Sequence, residues 1–256
     1  MPVSNGVYAF AFKSENPSYP PLVLIHGAGG THLNWPAEIR RLAGYEVLAL
    51  DLPGHGKSEG HGEQTIEGYA AAVLGWMDSI QLYRAFMVGH SMGGMVALQL
   101  ALESPRRVSG LGLFSSGARL PVDASLIENT TNRTTFPAAL EKIQSLSYGP
   151  AAGERLVQLG MKRLAENRPS VLHNDFMACQ AFDALERLAE IHHPTLVVCG
   201  AEDRLAPVRH SQYLASKIEG AELRVIPEAG HMVILEKPGE SVEILRSYLE
   251  ENRWKL

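Results

Sequence analysis

The fold of this chain is decided by RAFMVGHSMGGMVALQLALESP, residues 84–105. Residues 84–91 form a short apolar run typical of a strand, and residues 92–105 carry apolar side chains at helical spacing. At the junction residues 89–93 read GHSMG, which matches G-x-S-x-G. This pattern predicts a sharp turn that strains the backbone of Ser91 and exposes its hydroxyl, with glycines where larger side chains would collide. We predict that Ser91 is a nucleophile; the alternative is a glycine-rich turn with an incidental serine.

Similar apolar runs recur on both sides of this stretch. They are rich in Val, Leu and Ile and do not alternate strictly, which is typical of strands covered on both faces in a parallel sheet. These runs are residues 21–27, 46–51, 108–116, 195–203 and 222–231. Helical patterns separate them at residues 35–43, 66–80, 207–218 and 238–251. The alternation predicts a doubly wound, mostly parallel α/β sheet with right-handed crossovers, and residues 5–13 as an antiparallel edge strand or hairpin.

One long segment breaks this alternation. Residues 117–193 contain no convincing strand pattern, and three stretches within them look helical. We therefore predict a helical cap at 117–193, inserted late in a core made of residues 1–116 and 194–256.

Composition narrows the class of protein. The chain has 256 residues and a formal net charge of −5, which argues against nucleic acid or anionic membrane as the main partner, because both need a concentrated basic surface. No apolar run approaches the ~20 residues of a transmembrane helix, and the N-terminus lacks a signal-peptide pattern. Cys179 and Cys199 make no disulfide framework. We expect a cytoplasmic protein whose partner is a small molecule.

Five motifs, in their order along the chain, resemble the α/β-hydrolase fold family, particularly its small esterase, lactonase and cofactor-free haloperoxidase-like branch. They are LVLIHGAGG (22–30), DLPGHGKS (51–58), VGHSMGG (88–94), GAEDRLAP (200–207) and AGHMVILEKP (229–238). The resemblance spans nearly the whole chain but is weak in 117–193, where that family places its variable cap. We interpret residues 51–58 as a structural loop shaped by its glycines and proline.

A serine hydroxyl needs a base within hydrogen-bond reach, and the base needs an orienting carboxylate. Of ten histidines, His231 follows a predicted strand in a glycine-flanked loop near the C-terminus and fits the chain order Ser, Asp, His of this fold. We predict that His231 is the base. His90 is next to the nucleophile, but the elbow turns its side chain elsewhere, and His26 and His55 belong to loop motifs.

The acid has two possible positions in this fold. The loop after residues 108–116 offers no nearby carboxylate, whereas the loop after the next core strand holds Glu202 and Asp203. The family pattern G-x-x-D selects Asp203. The alternatives are Glu202, Asp123 and Asp175, or an Asp203 that merely caps the helix beginning near Pro207.

The resemblance also implies an oxyanion hole made of two backbone N–H groups, those of Ala28 and Met92. The N–H of Met92 gains from the N-terminal end of its helix, which favours negative charge. A phosphate-binding loop is the alternative for residues 26–30, but the G-x-G-x-x-G spacing and the G-K-S/T ending are missing. Without C-x-x-C or H-E-x-x-H, the sequence predicts no metal site and no cofactor.

Together these residues predict a serine hydrolase that cleaves a carboxylic ester or lactone of small to medium size through an acyl-enzyme on Ser91. Carbon–carbon bond hydrolases, perhydrolases and acyltransferases share the same triad, and a ligand sensor with little turnover is the alternative from another class. Four cap residues either line the acyl pocket or pack the cap on the core: Phe136, Phe176, Met177 and Phe182.

Overall fold

A computed structural model of the protein describes residues 3–15, 17 and 19–253. Their centre is an eight-stranded sheet with the strand order β1-β2-β4-β3-β5-β6-β7-β8. The strands are Val3–Ser4 (β1), Val7–Lys13 (β2), Leu22–Ile25 (β3), Glu46–Asp51 (β4), Ala85–His90 (β5), Val108–Phe114 (β6), Thr195–Gly200 (β7) and Glu222–Ile226 (β8). Pairings from β4 to β8 are parallel, while β2 joins β1 and β4 antiparallel. The predicted mostly parallel α/β sheet is confirmed.

Helices cover both faces of this sheet. They are Ala37–Arg40 (α1), Ile66–Ser79 (α2), Met92–Glu103 (α3), Ala124–Asn129 (α4), Phe136–Ser147 (α5), Glu154–Ala165 (α6), Pro169–Ala181 (α7), Val208–Lys217 (α8), Val233–Glu236 (α9) and Pro238–Glu251 (α10). Short 3₁₀ turns lie at His32–Asn34, Pro105–Arg107 and Leu185–Glu190. Across the described part of the chain, no helix combines the length and the apolar composition needed to cross a membrane.

The apolar runs become strands because both faces of the sheet are buried. In β3, Leu22 and Leu24 point into one apolar core, while Val23 and Ile25 point into the core on the opposite face. All residues of β3, β5, β6 and β7 are buried, whereas the edge strand β8 is partly exposed. Period-2 alternation is therefore absent from the sequence of the central strands.

Two local predictions have distinct outcomes. The opening segment forms a hairpin of β1 and β2, whose turn residues Asn5 and Gly6 both have positive φ, 48° and 73°. This is the combination that a tight hairpin turn favours. The helix predicted at 35–43 is wrong in extent: the segment contains only the four residues of α1, which begins after Pro36.

Residues 117–193, for which we keep the name cap, lie between β6 and β7. They contain α4 to α7 and a 3₁₀ turn, and no strand among residues that are all described. Part of the cap buries an apolar cluster of its own: Leu126, Phe136, Ala139, Leu140, Leu172 and Phe176. The division of the chain into a core of residues 1–116 and 194–256 and an inserted cap of residues 117–193 stays a prediction.

The strand order sets where a site can form. β4 lies on one side of β3 and β5 on the other, so the chain reverses its winding direction between β3 and β5. Loops after two such strands leave the sheet in opposite directions and open a crevice at the carboxyl end. The loop after β3 contains the predicted oxyanion residue Ala28, and the turn after β5 contains Ser91.

Candidate active site

The turn between β5 and α3 holds Ser91 in a rare backbone conformation, with φ 54° and ψ −119°. A Cβ added to Gly89 would lie 2.2 Å from the carbonyl oxygen of Gly93, and one added to Gly93 would lie 2.1 Å from that of Ile25. Neither glycine can therefore carry a side chain in this turn. The backbone N–H of Ser91 donates to the carbonyl of Phe114 at 2.9 Å, which helps to hold the strained conformation.

The three residues predicted as a triad lie on three separate loops and come together at the carboxyl end of the sheet. The Nε2 atom of His231 is 2.9 Å from the Oγ atom of Ser91. On the other side of the ring, Nδ1 is 3.0 Å and 3.1 Å from the two carboxylate oxygens of Asp203. The side chain of Asp203 is fully buried, and that of His231 nearly so. An unbroken hydrogen-bonded chain thus runs from hydroxyl to imidazole to carboxylate.

Asp203 is held in its ionised form by its surroundings. Its Oδ1 atom accepts backbone N–H groups from Leu205 at 3.0 Å and Ala206 at 2.8 Å. Burial opposes ionisation, but His231 and these hydrogen bonds outweigh it and keep the pKa of Asp203 below its usual value. The carboxylate therefore bonds both its own turn and His231, while α8 begins after Pro207 without a side-chain cap.

The alternative carboxylates lie elsewhere. Glu202 is exposed. Asp123 is 2.6 Å from the ammonium of Lys142 and also binds Ser125. Asp175 is buried, but its carboxylate meets His55 rather than His231.

The two residues predicted to form the oxyanion hole are both near Ser91: Met92 follows it in the chain, and Ala28 lines the same cavity. Met92 is the first residue of α3, where a helix offers its N–H no internal acceptor. The N–H of Ala28 has no acceptor among the described residues. A Cβ added to Gly27 would lie 3.0 Å from the Cβ atom of Ser91, so the loop after β3 runs directly against Ser91.

Two buried histidines near the site are neutral and serve the structure. His90 donates from Nε2 to the carbonyl of His231 at 2.9 Å, and burial together with the neighbouring His231 lowers the pKa of His90 to about 3. His26 donates from Nδ1 to the carbonyl of Gly27 at 2.8 Å and accepts the N–H of Leu52 on Nε2 at 3.0 Å. Burial and His55 lower the pKa of His26 to about 4. Both rings orient loops of the site.

The loop at residues 51–58 is organised by Asp51. Its Oδ1 accepts both the backbone N–H of His32 at 2.7 Å and the ring Nδ1 at 2.8 Å, and its Oδ2 accepts the N–H of Lys57 at 2.9 Å. These contacts support our interpretation of this motif as structural. Nowhere in the described residues do three His, Cys, Asp or Glu side chains group in a way that could hold a metal ion.

A cavity of about 410 Å³ lies between the site and the cap. Ser91, His231 and Ala28 form part of its floor, and the walls are mostly apolar side chains from the cap, including Leu126, Ile143, Leu164, Leu172 and Phe176. Of the four cap residues singled out in the sequence, Phe176 alone lines this cavity. Phe136 packs inside the cap cluster, Phe182 joins the main core, and Met177 is 37% exposed.

Comparison with known proteins gives relatives across most of the chain. The dihydrolipoyllysine-residue acetyltransferase component of the acetoin cleaving system of Pseudomonas putida is 33% identical over 91% of this chain, which spans only 64% of that relative's length. The 2-hydroxy-6-oxo-6-phenylhexa-2,4-dienoate hydrolase of Comamonas testosteroni is 30% identical, with coverage of 90% of this chain and 87% of the relative.

Solved structures agree with this comparison. A thermophilic esterase superimposes with a TM-score of 0.82 at 31% identity, covering 98% of this chain and 96% of the esterase. The model of the alpha/beta hydrolase fold family matches residues 20–238. On this match, and with an eight-stranded sheet that carries the G-x-S-x-G turn after β5, the chain belongs to the α/β-hydrolase fold family.

Proposed function

We propose that this protein is a serine hydrolase that cleaves carboxylic esters or lactones through an acyl-enzyme on Ser91. One observation carries the proposal: the hydrogen-bonded chain from Ser91 through His231 to the buried Asp203, at the floor of an apolar cavity. A hydroxyl, a base and an orienting carboxylate in this order are what nucleophilic acyl transfer requires.

In the acylation step, His231 takes the proton of the Ser91 hydroxyl as Oγ attacks the carbonyl carbon. The negative charge that develops on the substrate oxygen is stabilised by the N–H groups of Ala28 and Met92. His231 then passes the proton to the leaving alkoxide, and the alcohol departs. Asp203 stabilises the imidazolium form of His231 throughout.

In the deacylation step, water replaces the alcohol. His231 takes a proton from the water, the resulting oxygen nucleophile attacks the acyl carbon, and the carboxylic acid leaves as Ser91 regains its proton. In a lactone the alcohol stays attached to the acyl group, so ring opening and release of a hydroxy acid complete the same cycle.

The cavity supports a small to medium apolar acyl group. Its volume of about 410 Å³ lies at the small end of ligand pockets, and its cap side is mostly aliphatic. Long emulsified lipids are therefore expected to be poor substrates.

Cys179 and Cys199 are free and buried, which supports our proposal of a reducing, cytoplasmic location.

A second candidate is hydrolysis of a carbon–carbon bond, favoured by the 30% identity to the 2-hydroxy-6-oxo-6-phenylhexa-2,4-dienoate hydrolase. The same serine, base and oxyanion hole suit attack on a ketone, so the proposed machinery serves both reactions.

The test is a series of p-nitrophenyl esters from acetate to palmitate, run with the wild-type protein and Ser91→Ala side by side. We expect turnover of short and medium esters and none with the variant. If the wild type hydrolyses no ester, esterase activity is the claim to abandon. Turnover of a vinylogous diketone would then support carbon–carbon hydrolysis.

A further inference from the structure

The loop at residues 26–30, which we call the oxyanion loop, is held by the cap at Gly29. The N–H of Gly29 donates to Oδ2 of Asp175 at 2.8 Å, and its carbonyl accepts the side-chain amide of Asn167 at 2.7 Å. Both polar groups of this residue are thus engaged from the cap. Gly29 follows directly after Ala28, the proposed oxyanion donor.

Close packing reinforces these two hydrogen bonds. Gly29 has φ +63°, and a Cβ added to it would lie 2.9 Å from Leu164 and 3.0 Å from Leu172. Both leucines belong to cap helices, α6 and α7. The cap therefore lies against the backbone of the oxyanion loop with no room for a side chain between them.

Asp175 is fully buried and binds three core segments at once. Besides the N–H of Gly29, its carboxylate accepts the hydroxyl of Tyr69 from α2 and the Nε2 atom of His55 at 2.9 Å. The Nδ1 atom of His55 faces the carbonyl of Pro53 at 3.0 Å, so both ring nitrogens meet acceptors. Burial disfavours the charged ring, but Asp175 outweighs it and raises the pKa of His55. The result is a buried, paired carboxylate, the form in which such a charge is stable.

Asn167 supplies the second attachment independently. It follows the end of α6, and its amide also donates to the carbonyl of Leu164 at 3.0 Å. This local bond orients the amide towards Gly29 without help from Asp175. Two cap side chains thus fix one peptide segment from opposite ends.

We propose that Asp175 and Asn167 are positioning residues for the oxyanion hole, and that they make the chemical step depend on the docked cap. Because peptide groups are planar, these two hydrogen bonds fix the peptide planes on both sides of Gly29. The Ala28 N–H belongs to the preceding plane, which is joined to them through only the φ and ψ rotations of Ala28, so the anchored Gly29 limits the directions that this N–H can take. A donor acts on the transition state only when it is aimed at the developing oxyanion. The inference rests on the proposed serine hydrolase function.

The test compares Asn167→Ala and Asp175→Asn with Asn174→Ala as a matched control. Asn174 is on the same helix as Asp175 and crosses to the core as well, donating to the carbonyl of His61 at 3.1 Å, but makes no hydrogen bond to the oxyanion loop. Asp175→Asn leaves His55 without its counter-charge and risks misfolding. Asn167→Ala removes a partly exposed amide, so it keeps the test open if the first variant fails to fold.

The first readout is the rate constant for labelling by a fluorophosphonate probe, which does not require the natural substrate. Oγ of Ser91 bonds to phosphorus, fluoride leaves, His231 takes the hydroxyl proton, and the phosphoryl oxygen occupies the oxyanion hole. The second readout is kcat and KM on the preferred p-nitrophenyl ester.

We expect Asn167→Ala to slow labelling and lower kcat about tenfold, and Asp175→Asn about a hundredfold, since losing an oxyanion donor outright costs about 10²–10³ in kcat. KM should stay close to the wild-type value and Asn174→Ala should match the wild type. If both variants were labelled and turned over substrate at the wild-type rate, this inference would be overturned, but the serine hydrolase proposal would stand. A raised KM with unchanged kcat would overturn it too, because the residues would then only shape the pocket. A wild-type protein that the probe does not label would remove the serine hydrolase proposal itself.

Discussion

The cavity has two walls that are built on different principles. The core wall consists of the loops that carry Ser91, Asp203, His231 and the oxyanion loop, and the side chains of Ser91, His231 and Asp203 are paired there at hydrogen-bond distance. The cap wall is mostly aliphatic, and no residue of α6, all of which is described, is buried. The core wall thus holds individual polar atoms in defined orientations, whereas the cap wall mainly sets the volume available to a substrate. Gly29 is where the two walls meet, and there the cap specifies a direction as well.

We expect the largest change in kcat when two neighbouring carboxylates, Asp203 and Glu202, are compared. Asp203→Asn should lower kcat about 10⁴-fold, because an amide cannot orient and stabilise the charged ring of His231. Glu202→Gln, at an exposed position one residue away, should leave kcat unchanged. Steady-state hydrolysis of a short p-nitrophenyl ester measures both. Equal effects of the two substitutions would remove Asp203 from the proposed triad.

Stability should separate a glycine of the core wall from one in the cap. Gly93→Ala places a Cβ 2.1 Å from the carbonyl of Ile25, and we expect it to lower the free energy of unfolding by about 3 kcal/mol. Gly153, which precedes α6, has no atom near the added Cβ, so Gly153→Ala should cost less than about 1 kcal/mol. Urea denaturation checks the pair. A stable Gly93→Ala protein would contradict the crowding of the elbow.

Acid should weaken the core wall through its neutral histidines. The folded-state pKa of His90 lies at about 3, below the ~6.5 of an unfolded chain. As pH falls below that unfolded value, the unfolded state binds a proton that the folded state excludes, so the free energy of unfolding decreases by up to about 1.4 kcal/mol per pH unit. His90→Gln should therefore flatten the fall in stability between pH 6.5 and 5. An unchanged slope would show that His90 does not resist protonation.

The buried pair of His55 and Asp175 should change the stability of the protein with pH in the opposite direction. The pKa of His55 is raised in the folded protein, so its contribution to stability is fully present below the unfolded pKa and is lost as pH rises through the folded value. Chemical denaturation of His55→Gln against the wild type should show a difference that shrinks at alkaline pH. A difference that grew with pH would contradict a charged His55.

The smallest effect concerns the volume set by the cap wall. Phe176→Ala enlarges the cavity and should shift the ratio of kcat/KM for longer over shorter esters by about tenfold, since one methylene in an apolar pocket changes this ratio 10–200-fold. Met177→Ala, at the next and exposed position, should leave the ratio unchanged. The ester series measures both variants. A shift with Met177→Ala instead would place the acyl pocket elsewhere.

Local chemistry made much of the core predictable. The G-x-S-x-G turn carries its own steric reason, since Gly89 and Gly93 have no room for side chains. Helices predicted at 66–80 and 238–251 lie at Ile66–Ser79 and Pro238–Glu251, because helical periodicity is a property of neighbouring residues. The helix at 35–43 was overestimated because Pro36 and a 3₁₀ turn limit it. The catalytic roles of Ser91, Asp203 and His231 stay predictions.

The sequence by itself determined the strands of the sheet and the turn at Ser91, because hydrophobic periodicity and glycine spacing are properties of neighbouring residues. Asp203 and His231 were predicted through the resemblance to the α/β-hydrolase fold family. Only the tertiary structure decided which cap residues reach the site. Asp175 and Asn167 meet Gly29 from 146 and 138 residues away, and Phe176 rather than Phe136 faces the cavity. The pattern of an amphipathic helix states that one face is apolar, but not what that face will cover. That choice depends on how separate helices pack, and packing is a property of the whole fold.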